Sequence, residues 1–155
     1  MRIIKLGIIS IVFLFGLVTV MSLFIPSHVR ISRATNLAPT AGYIIQKISD
    51  TSRWNQWHPG FIDSSGTRPN YQLRRIPVSL KKDEFVCKVQ QGERKPVTNG
   101  WKLYSNSPGD SLTLQWYMDF QLSWYPWQKF SSLFYESAYG TMMEQGMTNL
   151  KASAH

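Results

Sequence analysis

The sequence predicts an α+β domain: a curved antiparallel sheet wrapped around a long C-terminal helix, preceded by one N-terminal transmembrane helix. Three observations predict this class. An uncharged apolar run lies near the N-terminus, a period-two pattern covers 112–122, and a proline-free helical pattern follows Pro126. Without the apolar run, the 155-residue chain leaves enough residues for about one domain. An aromatic content of 14% argues against a disordered chain.

The run from Leu6 to Ile25 contains no charged residue in 20 positions. A helix of this length spans about 30 Å, which is the thickness of the hydrocarbon core of a bilayer. Two alternatives remain open, a cleaved signal peptide and a buried core helix. A signal peptide usually has a shorter apolar region and a small-x-small cleavage site, and a core helix has a polar stripe. We therefore expect residues 1–26 to be an uncleaved single-pass anchor and 27–155 to form the folded domain.

The charges that flank this run bear on its orientation. Arg2 and Lys5 precede it, whereas Arg30 and Arg33 follow it, so the two sides carry nearly equal positive charge. A short cationic N-terminal tail favours a cytoplasmic N-terminus. We expect the folded domain to lie outside the cytoplasm.

The remaining pattern predicts strands and helices in a definite order. The expected strands lie at 28–37, 71–78, 84–90, 97–105 and 112–122; short helices are expected at 40–48 and 49–57, and one continuous helix over 126–153. Pro77 favours an edge position for the second strand. In the last strand six apolar residues alternate with polar ones, so one face is buried and the register is well specified. A sheet curved around a single helix often leaves a cavity between the two.

Several short motifs in this order resemble the START/polyketide-cyclase (SRPBCC) superfamily, which has the helix-grip fold. They are Phe24-Ile25-Pro26, Ala38-Pro39-Thr40, Trp54-Asn55-Gln56-Trp57-His58-Pro59, Leu112-Thr113-Leu114-Gln115-Trp116, and the segment from Gly140 to Lys151, which is similar to G-x-x-x-E-x-G-x-x-N-L-K. Within this superfamily, the motifs resemble in particular a group of small, membrane-anchored bacterial members. The resemblance implies the fold, but the fold hosts lipid carriers, cyclases, hydrolases and chaperone cofactors.

One segment departs from the family pattern. Between Pro59 and Tyr71, where the family usually has a strand hairpin, only about a dozen loop-like residues are present. We therefore expect five or six strands in place of seven, and a smaller or more open cavity.

The sequence contains no recognisable catalytic constellation. His28, His58 and His155 lie far apart without metal-ligand spacing, and there is no nucleophile elbow, phosphate loop or carboxylate pair. We expect His58 to be a loop or surface residue and Cys87 to be a buried, inert thiol. Asp119, on the polar face of its strand, and Glu144 are expected to face solvent. No catalytic residue, metal or cofactor is expected.

Large apolar side chains are the best candidates for a ligand-binding cavity. The candidates are Trp101, Leu103, Trp116, Met118, Phe120, Phe134 and Met142. Aromatic and methionine side chains suit adaptable apolar sites, but they also suit ordinary core packing, and both readings stay open. Trp54 and Trp57 are expected to fix a short helix to the sheet. Trp124, Tyr125 and Trp127 fit either a cavity mouth or a belt near the bilayer.

The basic segment from Arg68 to Lys102 carries nine cations and three acids. This pattern fits a solvated sheet edge, or attraction to anionic lipid. Nucleic acid is an unlikely partner for an anchored domain without interleaved aromatic and basic motifs.

Taken as a whole, the sequence favours a membrane-tethered module that binds a lipid or another hydrophobic small molecule. Two alternatives stay open: an accessory domain that docks an unknown protein partner, and an enzyme of the cyclase or hydrolase kind.

Overall fold

The computed structural model describes residues 2–38, 43–61, 73–105 and 111–153. Its elements, in chain order, are α1 (Arg2–Leu23), β1 (His28–Leu37), α2 (Ile44–Ser49), a 3-10 helix (Thr51–Gln56), β2 (Leu73–Leu80), β3 (Glu84–Gln91), β4 (Val97–Ser105), β5 (Leu112–Gln121), α3 (Pro126–Ser132) and α4 (Tyr135–Ala152). Thr40, where the first short helix is expected to begin, and most of the segment expected to be shortened, 62–72, lie outside the described residues.

The strands form one antiparallel sheet with the order β1-β5-β4-β3-β2. Together with the C-terminal helix α4, which packs against β1, this is the predicted α+β helix-grip fold. Five strands are present in the described part of the chain. Pro77 lies on the edge strand β2, as predicted, and the pairing of β2 with β3 shifts register between Pro77 and Ser79.

The alternation in β5 has the predicted result. Leu114, Trp116, Met118 and Phe120 are buried on the concave face, whereas the residues between them are half-buried on the other face. Asp119 is on that outer face but is only 14% exposed, because Nε of Arg30 lies 2.6 Å from its Oδ1 and the two form an ion pair. Asp119 therefore lies on the expected outer face of the sheet, but its carboxylate is covered by Arg30 and does not face solvent as predicted.

The expectation of one continuous helix over 126–153 is wrong. The chain forms α3 and α4, separated by a turn at Leu133 and Phe134. α3 packs against α1, whereas α4 packs against β1, so the two helices contact different parts of the molecule. The turn that separates them includes Phe134, whose side chain is 70% exposed.

Arg33 fastens α4 to β1. Its Nη1 lies 2.6 Å from Oε1 of Glu136, and its Nε lies 2.7 Å from Oε1 of Glu144. Between these two glutamates, the Arg33 guanidinium crosses Gly140, where a Cβ would collide with it. Glu144 is exposed as expected, but it is paired.

α1 is long and apolar enough to cross a membrane, and within the described residues it is the one such helix. None of its most apolar window is buried, so α1 does not pack inside the domain as a core helix would. The hydroxyls of Thr19 and Ser22 donate to the carbonyls of Phe15 and Thr19 at 2.8 and 2.7 Å. These polar groups are thus satisfied within the helix, as a lipid environment requires.

The strand registers define one end of the sheet that lies next to α1, here called the anchor end. β1 begins there at His28, shortly after α1 ends, and His28 pairs with Gln121. The paired residues that continue this end across the sheet are Thr98 with Asp119, Val89 with Val97, and Leu73 with Gln91. Any site built from these residues lies on the α1 side of the domain.

Candidate functional site: an apolar cavity at the anchor end

A cavity of about 450 Å³ lies on the concave face of the sheet, beneath α4. Among the described residues, its lining consists of His58, Gly60, Phe61, Leu73, Val89, Gln91, Arg94, Lys95, Pro96, Val97, Asn99, Met118, Phe120, Gln121, Leu122, Ser123, Gln128, Tyr135, Tyr139 and Met142. The strand residues of this set all come from the anchor end. Most of the lining surface is apolar, but polar and charged side chains contribute to it as well, among them Gln91, Arg94, Asn99 and Gln128. A largely apolar wall with polar groups is a common composition of small-molecule sites.

The half of the concave face farther from α1 is filled by tryptophans. Trp101 and Trp116 are paired across β4 and β5, and their rings stack at 5.3 Å. Trp54 and Trp57, from the 3-10 helix and the residue that follows it, pack edge-on against Trp101 at 5.2 and 6.2 Å. All four rings are at most 2% exposed. This confirms that Trp54 and Trp57 fix the short helix to the sheet, and it closes the inner side of the cavity.

His58 lies at the boundary between these tryptophans and the cavity. It is 4% exposed, and its ring stacks on Trp54 at 5.4 Å and contacts Trp116 edge-on at 4.9 Å. Burial, with a smaller contribution from the positive charge of Arg75, lowers the pKa of His58 to about 3, so the ring is neutral at pH 7. His58 lies outside the helices and strands, as expected, but the expectation of a surface position is wrong, because its ring is buried.

The hydrogen bonding of His58 assigns its tautomer. The backbone N–H of Gly60 donates to Nδ1 at 3.1 Å. A neutral imidazole that accepts at Nδ1 carries its proton on Nε2. No described residue accepts a hydrogen bond from that Nε2–H group, so His58 has a donor left for a bound molecule.

Tyrosines of α4 form the outer wall of the cavity. Phe120 contacts the rings of Tyr135 and Tyr139 at 4.8 and 4.9 Å. Tyr135, Tyr139 and Met142 follow one another at helical spacing, so they share the face of α4 that looks toward the sheet. Burial raises the pKa of Tyr139, which therefore stays neutral at physiological pH.

Two cations lie at the rim of the cavity. Arg94 and Lys95 belong to the turn between β3 and β4, and both are exposed. Nη1 of Arg94 lies 3.2 Å from Oε1 of Gln91. By contrast, Lys81 and Lys82 lie in the turn at the opposite end of the sheet, so the basic segment does not form a single patch.

Some of the residues that the sequence predicts to bind a ligand line the cavity, and others do not. Met118, Phe120 and Met142 line the cavity together. Trp101 and Trp116 do not line it, because the tryptophans of the short helix cover them, and Leu103 packs against the same core. Phe134 does not line the cavity either, because it lies on the outer surface at the start of α4, where it is 70% exposed.

Sequence reasoning missed His58, Tyr135 and Tyr139 as parts of this site. The helical spacing of Tyr135, Tyr139 and Met142 was a usable signal, but the assumption of one helix placed Phe134 on the inner face. The burial of His58 depends on aromatic rings from β5 and the 3-10 helix, which no local pattern reveals.

The cavity can hold an apolar molecule, but its lining offers little for catalysis. No carboxylate occurs among the described lining residues, and an imidazole with a pKa of about 3 is a weak base at neutral pH. In the described part of the chain, no cluster of three or more His, Cys, Asp or Glu residues could hold a metal ion. Cys87 is buried, as expected, and burial raises its pKa, which keeps the unreactive thiol form.

No protein-family model and no curated protein matches this sequence. Solved structures do resemble it. The START superfamily protein from Mycobacterium smegmatis superimposes with a TM-score of 0.53 at 17% identity, over 81% of this chain and 96% of that one. The Zhui aromatase/cyclase from a Streptomyces species gives 0.52 at 10% identity, over 82% and 93% of the two chains.

The di-domain aromatase/cyclase StfQ from the steffimycin biosynthetic pathway gives a TM-score of 0.60 at 14% identity over 83% of this chain. This chain spans about half the length of StfQ, 51%. These likenesses, all below 25% identity, show the fold alone: the chain has the helix-grip architecture that these START and aromatase/cyclase structures share.

Proposed function

We propose that this protein is a membrane-tethered module that binds one hydrophobic small molecule or lipid chain in the cavity at the anchor end. The main support for this proposal is the cavity itself: a mostly apolar space of about 450 Å³ beneath α4, lined by Phe120, Tyr135 and Tyr139 among others, that the described side chains leave unfilled. Residues 1–26 act as a single-pass anchor, and 27–155 form the binding domain.

The size of the cavity limits the ligand. Sites for drug-sized ligands measure roughly 300–1,000 Å³, so this cavity suits a single acyl chain or a compact ring system. A two-chain lipid would keep one chain outside. The exposed cations Arg94 and Lys95 at the rim favour an acidic or strongly polar head group, and His58 favours an acceptor oxygen on the buried part.

The place of the cavity supports a membrane source for the ligand. The sheet end that contains the cavity is also the end from which α1 departs, so an anchored domain holds the cavity near the bilayer. An apolar molecule could therefore pass from lipid to cavity over a short distance in water. Such transfer would avoid most of the cost of exposing apolar surface.

The charges that flank α1 favour a domain outside the cytoplasm. Arg30 and Arg33 follow α1 on the domain side, so the two flanks carry nearly equal numbers of cations, and the preference comes from the short N-terminal tail. Arg2 and Lys5 supply the positive charge of the N-terminal side, which the positive-inside tendency places in the cytoplasm.

Native mass spectrometry of the full chain in mild detergent, with and without lauric acid, tests this function. We expect a one-to-one complex, and we expect Met142→Trp to abolish it by filling the cavity. The matched control is Thr141→Trp, which adds the same ring at the exposed neighbouring position of α4. Equal occupancy in both variants, or a ligand-free wild type in lauric acid, would contradict the proposal.

A further inference from the structure

The short helix α3 has an inverted distribution of polar and apolar side chains. Its buried face consists of Pro126, Lys129 and Ser132. The residues that it and its flanking turns expose are large and apolar: Trp124 is 66% exposed, Trp127 61%, Leu133 62% and Phe134 70%. A helix on a water-facing surface normally has the opposite arrangement. These four residues are named here the α3 surface.

The position of α3 relative to α1 suggests what covers this surface. α3 packs against α1, and the part of α1 that loses exposure is its C-terminal end, where Ser22 is fully buried and Val18 and Thr19 are half-buried. Nζ of Lys129, on the buried face of α3, donates to the carbonyl oxygen of Ile25 at 2.8 Å. α3 is therefore fixed beside the last turns of the helix that would cross the membrane.

The last turns of α1 fix the depth of α3 relative to the bilayer. When α1 spans the hydrocarbon core, its C-terminal end lies at the boundary between acyl chains and head groups, and α3 lies beside it. Tryptophan and other aromatic side chains are enriched at this boundary, because one part of the ring is apolar and another can meet water. Phe24, the residue that follows α1, is also 87% exposed.

We propose that the α3 surface is embedded in the membrane interface and acts as a second contact with the bilayer. It lies in the outer part of the lipid with its four apolar side chains inserted, as an interfacial helix does. This contact would fix the tilt of the domain and hold the anchor end, with its cavity, against the lipid. The inference rests on the anchor in the proposed function.

Tryptophan fluorescence provides the test, because the six tryptophans fall into two groups. Trp54, Trp57, Trp101 and Trp116 are buried, whereas Trp124 and Trp127 belong to the α3 surface. The full chain is reconstituted in vesicles of phosphatidylcholine that carries bromine on the upper acyl carbons, and quenching is compared with the unbrominated lipid. We expect strong quenching, and we expect Trp124→Phe/Trp127→Phe to remove most of it.

A second pair of variants tests the surface rather than the reporters. Leu133→Glu/Phe134→Glu keeps both tryptophans but adds charge to the α3 surface, so quenching should fall toward the level of the variant without them. The matched control is Val78→Glu/Leu80→Glu, which adds the same charges to exposed apolar residues of the edge strand β2. This control should be quenched like the wild type.

An alkaline carbonate wash separates the two proposals. If the chain stays in the vesicles but Trp124 and Trp127 are not quenched, the anchor holds and the inference about α3 is overturned. Crosslinking of two chains through α3 in that case would show that a second copy covers the surface, which also overturns the inference. Release of the chain by carbonate would overturn the anchor, and the inference with it.

Discussion

The indole of Trp116 lies directly against Gly146 of α4. A Cβ built on Gly146 would come within 2.8 Å of Cζ3 of Trp116 and within 3.0 Å of Cδ of Pro59. The glycine thus lets the helix approach the sheet closely at the tryptophan core. Four parts of the chain meet here: β5, α4, the loop that contains Pro59, and His58, which contacts Trp116 from the side of the cavity.

Replacement of Gly146 by leucine should destabilise the domain. A leucine side chain at this position would press on both the Trp116 ring and Pro59. This overpacking should lower the free energy of unfolding by about 1–3 kcal/mol. Thermal or urea unfolding of the full chain in detergent measures the change. Gln145→Leu, at the exposed neighbouring position, should change stability by much less; equal losses would show that the close approach at Trp116 is not important.

The buried His58 should make stability depend on pH. Its pKa is about 3 in the folded protein, against 6.5 when exposed, so the unfolded state binds a proton that the folded state does not between these values. Stability is therefore full above about pH 6.5 and falls toward pH 3, by up to about 1.4 kcal/mol per pH unit. The measurement is the unfolding free energy from pH 7 to pH 4, compared with His58→Phe. The variant should lack this part of the slope, and parallel curves would contradict the assignment.

His58 should also influence which ligand is held. Its Nε2–H can donate to a ketone or ether oxygen within an otherwise apolar ligand, and such a bond is worth about 0.5–1.5 kcal/mol. His58→Phe keeps an aromatic ring against Trp54 and Trp116 but removes the donor. Calorimetric titration should show weaker binding of a keto fatty acid and unchanged binding of the unsubstituted acid. Equal losses for both ligands would indicate a packing role only.

The rim cations should select acidic head groups. Arg94→Glu/Lys95→Glu should weaken binding of lauric acid at least tenfold relative to lauryl alcohol, because a charge reversal turns attraction at the rim into repulsion. Lys81→Glu/Lys82→Glu makes the same change in net charge at the far end of the sheet and should have little effect. If both variants weaken binding equally, the effect comes from net charge and not from the rim.

The fold could be predicted largely from local patterns. The alternation in β5 specifies its buried face because Leu114, Trp116, Met118 and Phe120 must leave water together. The resemblance of the C-terminal motif also has a physical basis here: Gly140 and Gly146 allow close contacts, and Nδ2 of Asn149 donates to the carbonyl oxygen of Trp57 at 3.0 Å.

The site was less predictable because it depends on contacts between distant segments. No proline or glycine marks the turn at Leu133 and Phe134; the chain bends there because α3 packs on α1 and α4 packs on the sheet. The division of the concave face into a filled half and a hollow half likewise depends on where Trp54 and Trp57 pack against the sheet. Neither feature has a local signature in the sequence.

Photolabelling in the membrane tests the central claim most directly. The full chain in nanodiscs is irradiated with a fatty acid that carries a diazirine at the end of its chain, and the labelled peptides are mapped by mass spectrometry. We expect labels on β5 at Met118 and Phe120 and on α4 near Met142, and we expect them to be lost in Met142→Trp and retained in Thr141→Trp. Labels confined to α1, with none in the cavity, would contradict it.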